Sequence, residues 1–291
     1  MRPKLIAGLA EAPPLPGVWE SVGVILVIGA TGKVGRHVVS GLLERDGDVR
    51  ALTRDPDSAG LPAGVDSVLG DLMNPRSLVE HLDGAEAVFL VWPFFNSDGV
   101  EGVLDLLARH VQRIVYLSAE AASNRANSFW AAIELAIERS AAEWTFLRPT
   151  GFAANTLMWA DQIRESGAVR WPYGQAARSL IHERDIAEVA VRTLTEGGHA
   201  GARYVLSGPE TLTQVEQAHT IGQAIGRPVS WEELSREAAE HEIAGLPDTA
   251  LDTWESFVET PEIVTSTVKE VTGTAARHFG EWARDHVEAF R

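Results

Sequence analysis

The chain contains no cysteine. That removes disulfides, thiolate metal sites and cysteine nucleophiles together, and it suits a reducing cytoplasm, the expected compartment. Long apolar runs are also missing. The longest, residues 24–30, is far too short to cross a bilayer, so no membrane span is expected. Arg2 and Lys4 precede a brief apolar patch that gives way to Glu11 and three prolines. No signal peptide is read there, and residues 1–21 are expected to form an extension outside the fold. Basic residues are outnumbered, 25 Lys and Arg against 41 Asp and Glu, for a net charge of −16. Such a chain is repelled by phosphate backbones, and no local basic patch offsets this, so direct nucleic-acid binding is not expected. There is no Gly-x-Ser-x-Gly elbow and no His-Glu-x-x-His helix. The nine His are scattered singly, and no metal site is expected. No internal repeat or low-complexity tract is visible.

What is present is an apolar content of 45% over 291 residues, enough for one large α/β domain or a domain with an appendage. The organising stretch is residues 23–36, Gly-Val-Ile-Leu-Val-Ile-Gly-Ala-Thr-Gly-Lys-Val-Gly-Arg. Val24 to Ile28 read as a buried parallel strand. Gly29, Gly32 and Gly35 follow, then a helical pattern with Val34, Val38, Val39, Leu42 and Leu43 on one face. Strand, glycine turn and helix is the context that makes a glycine pattern a nucleotide-site signal. Gly29 permits the tight turn, Gly32 lets a pyrophosphate approach the backbone, and Gly35 lets helix and strand pack closely. The free N–H groups at the helix start then face the phosphates. A Walker loop fails, because Val27 and Val34 stand where it needs Gly and Ser/Thr. The alternative is a tight β–α turn with no ligand.

Further strands are expected at 48–54, 65–69, 87–91, 113–118, 143–148 and 203–206. Together they predict an α/β fold, a Rossmann-type doubly wound parallel sheet with a smaller, mainly helical C-terminal lobe. The expected division is 22–208 for the dinucleotide-binding domain, with 153–180 contributing to the substrate pocket, and 209–291 for the lobe. The second strand ends at Thr53 and Arg54, where an acid would read a ribose 2′-OH and an Arg favours a 2′-phosphate. The alternative for Arg54 is a solvated loop cation. Asp71 is placed to accept from an adenine amino group, or to cap a helix. Asn74-Pro75 opens a helix to Leu82, and Ser97 caps another to His110. Trp92, Phe94 and Phe95 either wall a pocket at the carboxyl edge or pack under a loop. Residues 129–139 are helical. Trp159 is placed on a helix and Trp171 to Gly174 in a loop. Helices follow at 182–194, from the Thr213…Glu216 capping box to Ala224, and at 232–243, 248–258 and 275–289.

Taken together, these residues resemble the NmrA-like branch of the atypical short-chain dehydrogenase/reductase family. The likeness rests on residues 29–35 and 50–54 (Arg-Ala-Leu-Thr-Arg), Gly70-Asp71-Leu72, residues 143–149 (Glu-Trp-Thr-Phe-Leu-Arg-Pro) and His182-Glu183-Arg184-Asp185-Ile186-Ala187. It spans roughly 23–225. The resemblance implies a Rossmann domain, NADP(H) and less readily NAD(H) as cofactor, and a small substrate lobe. It also implies that Gly29, Thr31, Gly32, Lys33, Val34 and Gly35 hold the pyrophosphate. Arg54 would then take the 2′-phosphate, and Asp71 with Leu72 the adenine. Val91, Trp92, Pro93, Ser118, Pro149, Thr150, Gly151 and Phe152 would line the nicotinamide end.

The departure from the family is the Tyr-x-x-x-Lys pair, in which Tyr is the acid/base and Lys lowers its pKa. Tyr116, Tyr173 and Tyr204 and Lys4, Lys33 and Lys269 supply no such spacing. A related branch places one Lys early in the helix before the sixth strand, where Trp130 stands here. Ser118 and Tyr173 remain as catalytic candidates, and His182 as a residue near the pocket. Two readings follow. The first is a reductase or tailoring enzyme for an aromatic or quinone-like small molecule, since a quinone accepts hydride and takes its proton from water. Its support is the aromatic set Trp92, Phe94, Phe95, Phe152, Trp159, Trp171 and Tyr173. The second is a non-catalytic redox sensor acting through a protein partner. The oligomeric state is left open, a homodimer included.

Overall fold

Short apolar runs build one central sheet of seven parallel strands. The computed structural model describes residues 23–124, 128–243 and 249–291, so the extension expected at 1–21 lies outside the described residues. Strands β1 (Val24–Ile28), β2 (Val49–Thr53), β3 (Asp66–Leu69), β4 (Ala85–Leu90), β5 (Arg113–Leu117) and β6 (Glu143–Pro149) join a last strand, Ala202–Leu206. Their order is Ala202–Leu206, β6, β5, β4, β1, β2, β3. β1 pairs with β2 on one side and β4 on the other, so the chain changes direction at β1. That switch opens a crevice at the carboxyl ends of the strands, where open α/β sheets bind ligands.

Two apolar layers cover the sheet. Helix α1 (Gly35–Leu43) and the Glu183–Thr195 helix enclose one, with Val38, Val39, Leu42, Ile186 and Ala190 buried. Helix α2 (Val100–Leu107), the Pro75–His81 turns and the Phe129–Glu138 helix enclose the other. A third core belongs to the mainly helical C-terminal part. There Trp159, Trp171 and Trp282 pack with Ile163, Ile221 and Phe290.

Several expectations change. Residues Pro75–His81 form a 3-10 helix, and Asn74 makes no side-chain cap bond. Ser97 does not cap α2: Gly99, with φ of 77°, holds that position. Trp171 and Pro172 end a strand, Ala168–Pro172, and are not loop. That strand pairs with Ser230–Leu234, so the helix expected from 232 begins only at Arg236. Strand formation wins there because Ser230–Leu234 meets a partner distant in sequence, Ala168–Pro172, along its whole length. The short Thr267–Thr272 helix, unforeseen, packs on the Glu183–Thr195 helix. The Thr213…Glu216 capping box is present, with Thr213 and Glu216 bonded in both directions. No helix of the described residues is long and apolar enough to cross a membrane.

Candidate dinucleotide site

The three loop glycines have different reasons for being glycine. Gly29 has φ of 83°, and a Cβ there would stand 2.9 Å from Val91. A Cβ on Gly35 would stand 2.0 Å from the Gly29 carbonyl oxygen, so the helix can sit this close to the strand only with hydrogen at that position. Gly32 is different. Its φ is ordinary, and a Cβ would meet only the Gly29 carbonyl, at 3.1 Å, and otherwise open space. The loop is held by Gly32 N–H donating to Gly29 O (3.0 Å) and Arg36 donating to Thr31 O (2.9 Å). The amides of Thr31, Lys33 and Val34 have no acceptor among the described residues. Donors beside an open approach over Gly32, at the start of α1, fit a diphosphate.

Arg54 is exposed at the end of β2 and makes no ion pair among the described residues. With Leu69, Gly70, Asp71, Asn74 and Ser77 it lines a cavity of about 210 Å³. Asp71 accepts from the Met73 amide at 2.9 Å through one oxygen, a turn-capping role, and its other oxygen makes no bond among the described residues. Leu72 is buried. Asp55 is turned toward the Ser58 amide (3.2 Å), and Asp55 and Asp57 are both exposed. A larger groove of about 610 Å³, lined by His219, Gln223 and Arg227 among others, contains none of the residues singled out in the sequence.

At the other end of the crevice, Ser118 follows β5. Its hydroxyl donates to Glu134 Oε1 at 2.5 Å. Arg148, near the end of β6, donates to both oxygens of the same carboxylate (2.9 and 2.5 Å) and to Ser123 Oγ (2.7 Å). Glu134 is 4% exposed and Arg148 13%. The Glu134 hydrogen bond raises the Arg148 guanidinium pKa, and burial opposes the shift. Sequence reasoning missed Glu134. The available signal was a lone carboxylate in an otherwise apolar helical stretch, Phe-Trp-Ala-Ala-Ile-Glu-Leu-Ala-Ile.

Val91 is half-buried beside Gly29, and Pro93 is exposed. The Trp92 ring is buried, donates to Asn96 O (2.7 Å) and meets Phe94 edge-on, so the ring packs under its own loop. Trp159 and Trp171 are likewise consumed by the C-terminal core, edge to face with each other, and Trp159 meets Trp231 in the same way. Thr150 donates to Ser179 O (2.9 Å), and Gly151–Phe152 pairs with Leu180–Ile181. Lys33 reaches across from the glycine loop to Ala154 O, 3.2 Å away.

The tyrosines do not assemble an acid/base. Tyr116 is fully buried, and burial followed by the Glu134 charge pushes its phenol far above the ordinary range. Burial also raises Tyr204, which bonds His199 at 2.8 Å. Tyr173 sits at φ 58° and packs against the Leu234, Ala239 and Leu251 cluster, and no contact among the described residues joins it to Ser118.

The His182-Glu183-Arg184-Asp185 run has a different role from the one expected. His182 caps its helix: Nδ1 accepts from the Arg184 amide (3.2 Å), which leaves Nε2–H to donate to Asp285 (3.2 Å). Arg184 also pairs with Asp285 (3.1 Å), Asp185 holds Arg277, and Glu183 takes His286 at 2.9 Å. All four residues therefore clasp the C-terminal segment. His286 faces an acceptor at each ring nitrogen, Glu183 and the Trp282 carbonyl, as an imidazolium would. The Glu183 bond raises its pKa against opposing burial. For Glu183, burial alone would raise the pKa, but the neighbouring His182 and His286 rings carry it well below the carboxylate range. No group of His, Asp and Glu that would hold a metal ion occurs among the described residues.

The family description NAD(P)H-binding matches residues 29–197. The chain is 38% identical to the (4-alkanoyl-5-oxo-2,5-dihydrofuran-3-yl)methyl phosphate reductase of Streptomyces griseus, over 92% of this chain and 99% of that one. It is 35% identical to the NAD(P)H azoreductase of Xenophilus azovorans, over 92% and 99%. Its fold matches the NADPH-dependent quinone oxidoreductase of Escherichia coli with a TM-score of 0.74 at 24% identity, over 90% and 98% of the two chains. With its glycine loop, its doubly wound sheet and these relatives, the chain belongs to the NAD(P)H-binding family.

Proposed function

We propose that this protein is an NADP(H)-dependent reductase of aromatic or quinone-like small molecules that works without a Tyr-x-x-x-Lys pair. The observation that carries the reading is the Ser118 proton, committed to the buried Glu134 carboxylate at 2.5 Å. A hydroxyl in that state accepts hydrogen bonds but is a poor proton donor to a substrate oxygen. The glycine loop and the Thr31, Lys33 and Val34 amides bind the diphosphate, Arg54 the 2′-phosphate and Asp71 with Leu72 the adenine. Val91 to Pro93, Ser118 and Pro149 to Phe152 position the nicotinamide end.

Bound NADPH supplies a hydride. A quinone that receives it becomes a hydroquinone anion, whose charge is spread over the ring and which water protonates without a placed acid. A simple ketone would become a strongly basic alkoxide, which needs a donor. The azoreductase and phosphate reductase relatives support reduction of conjugated acceptors. Residues 22–208 act as the cofactor domain and 209–291, with 153–180, as the substrate side. We place the protein in the cytoplasm, with a small molecule and no nucleic acid as partner. The absent Tyr and Lys pair equally supports a sensor without turnover. Loss of NADPH absorbance on mixing with 1,4-benzoquinone or an azo dye decides: turnover above the no-enzyme rate is expected, and tight NADPH binding with none would favour the sensor.

A further inference from the structure

We propose that Phe95, Phe129 and Trp130 form the wall against which a planar, electron-poor acceptor stacks, so that these three rings set how many fused rings the site prefers. This rests on the reductase reading above. The Phe129–Glu138 helix starts at the carboxyl edge of the sheet, because β6, which follows it, begins with Glu143 paired to Arg113 at the opposite end of β5. Glu134 meets Ser118 at the carboxyl end of β5. Trp130 lies one turn nearer the helix start, about 6 Å beyond that contact on the same helix face. The wall therefore stands past the strand ends, on the ligand side of Ser118.

Phe95 completes it from the loop after β4. Its ring is 90% exposed and meets Phe129 edge-on, centroids 6.3 Å apart at 88°. Phe129 and Trp130 rings lie 4.0 Å apart at 33°. The other large aromatics of this edge are committed elsewhere, Trp92 under its loop and Trp159 and Trp171 in the C-terminal core. The buried Arg148–Glu134–Ser118 network anchors the helix one turn below the rings, so the wall is mounted on a fixed element. Aromatic faces carry negative quadrupole potential and favour electron-poor or cationic partners. Good hydride acceptors are electron-poor for the same electronic reason, so one surface selects both properties.

The test uses Phe95→Ala, which removes an exposed ring and leaves the core intact, and Trp130→Leu, which keeps apolar volume. KM for 1,4-naphthoquinone should rise about three- to tenfold in each variant, and KM for 1,4-benzoquinone by a smaller factor, because a single ring offers less face to stack. Fluorescence titration of acridine into the NADP⁺-loaded protein reads the wall without turnover, and its Kd should rise by the same factor. A parent that reduces no quinone yet binds acridine in a Phe95-dependent way sinks the reductase reading and keeps the wall. Equal acridine affinity in parent and both variants refutes the wall whatever the turnover. A dimer that Phe95→Ala converts to a monomer in sedimentation would also refute it, making the rings a contact between two copies.

Discussion

Replacing Arg54 by Ala should weaken NADPH about tenfold and leave NADH nearly unchanged. Arg54 is exposed, has no ion-pair partner among the described residues and lines the cavity beside Gly70 and Asp71. Nothing has to be broken before it meets a ligand, so its whole gain appears on binding. A 2′-phosphate carries nearly two negative charges, and a guanidinium meets two of its oxygens at once. A charge-assisted hydrogen bond contributes ~1.5–3 kcal/mol when well made. Exposure draws the figure to the lower end, and ~1.4 kcal/mol is a tenfold change in Kd. The opposing charges are Asp55 and Asp57. Asp55 is spent on the Ser58 amide and both face water, so each is screened over a Debye length of about 8 Å at physiological salt. Paired calorimetric titrations with NADPH and NADH, on the parent, Arg54→Ala and Arg54→Lys, make the measurement. Lys should fall between, because it keeps the charge but loses the fork. Raising the salt should weaken NADPH more in the parent than in Arg54→Ala. A parent that prefers NADH, or an equal loss of both cofactors in Arg54→Ala, refutes the assignment.

The glycines should separate by role: Gly32→Val should fold with a near-parental melting temperature and lose NADPH binding in calorimetry, whereas Gly35→Ala, forced against the Gly29 carbonyl, should lose stability itself. Glu134→Ala leaves the half-buried Arg148 without its carboxylate and should cost ~1–3 kcal/mol in urea unfolding, while Ser118→Ala should leave benzoquinone turnover within a few-fold, and a complete loss would make Ser118 a proton donor after all. The Glu183–His286 pair gives stability a pH window. His286 is raised above its ordinary 6.5, so its contribution is full below 6.5 and lost as pH climbs through the folded value. Glu183 is depressed below its ordinary 4.5, so its contribution is full above 4.5 and lost as pH falls toward the folded value. The pair's own contribution is therefore greatest between about pH 4.5 and 6.5, and the difference in melting temperature between the parent and His286→Asn should be largest in that window and shrink as pH rises.

The strands at the centre of the sheet were legible because each is a short run buried on both faces, which writes itself as consecutive Val, Ile, Leu and Phe. The glycine loop was legible for a local reason too: a tight turn and a close helix permit only hydrogen at Gly29 and Gly35, whatever surrounds them. Arg54 was singled out by counting from that loop and Asp71 by its place after the third strand, and the two line one cavity. Tertiary structure alone decided what the polar and aromatic residues do. Trp92 read either as a pocket wall or as packing under its loop, and Trp159 and Trp171 as aromatics near the pocket, yet whether an indole faces a ligand or a core depends on elements remote in sequence, and each found a core. Residues 230–234 became a strand because Ala168–Pro172 lay beside them. His182 to Asp185 read as a family signature near a pocket, but their partners are Arg277, Asp285 and His286, about a hundred residues on. Ser118 shows the difference most clearly. The sequence puts a hydroxyl at the end of β5, and only the return of the Phe129–Glu138 helix and of β6 sets Glu134 and Arg148 against it and turns its proton away from the crevice.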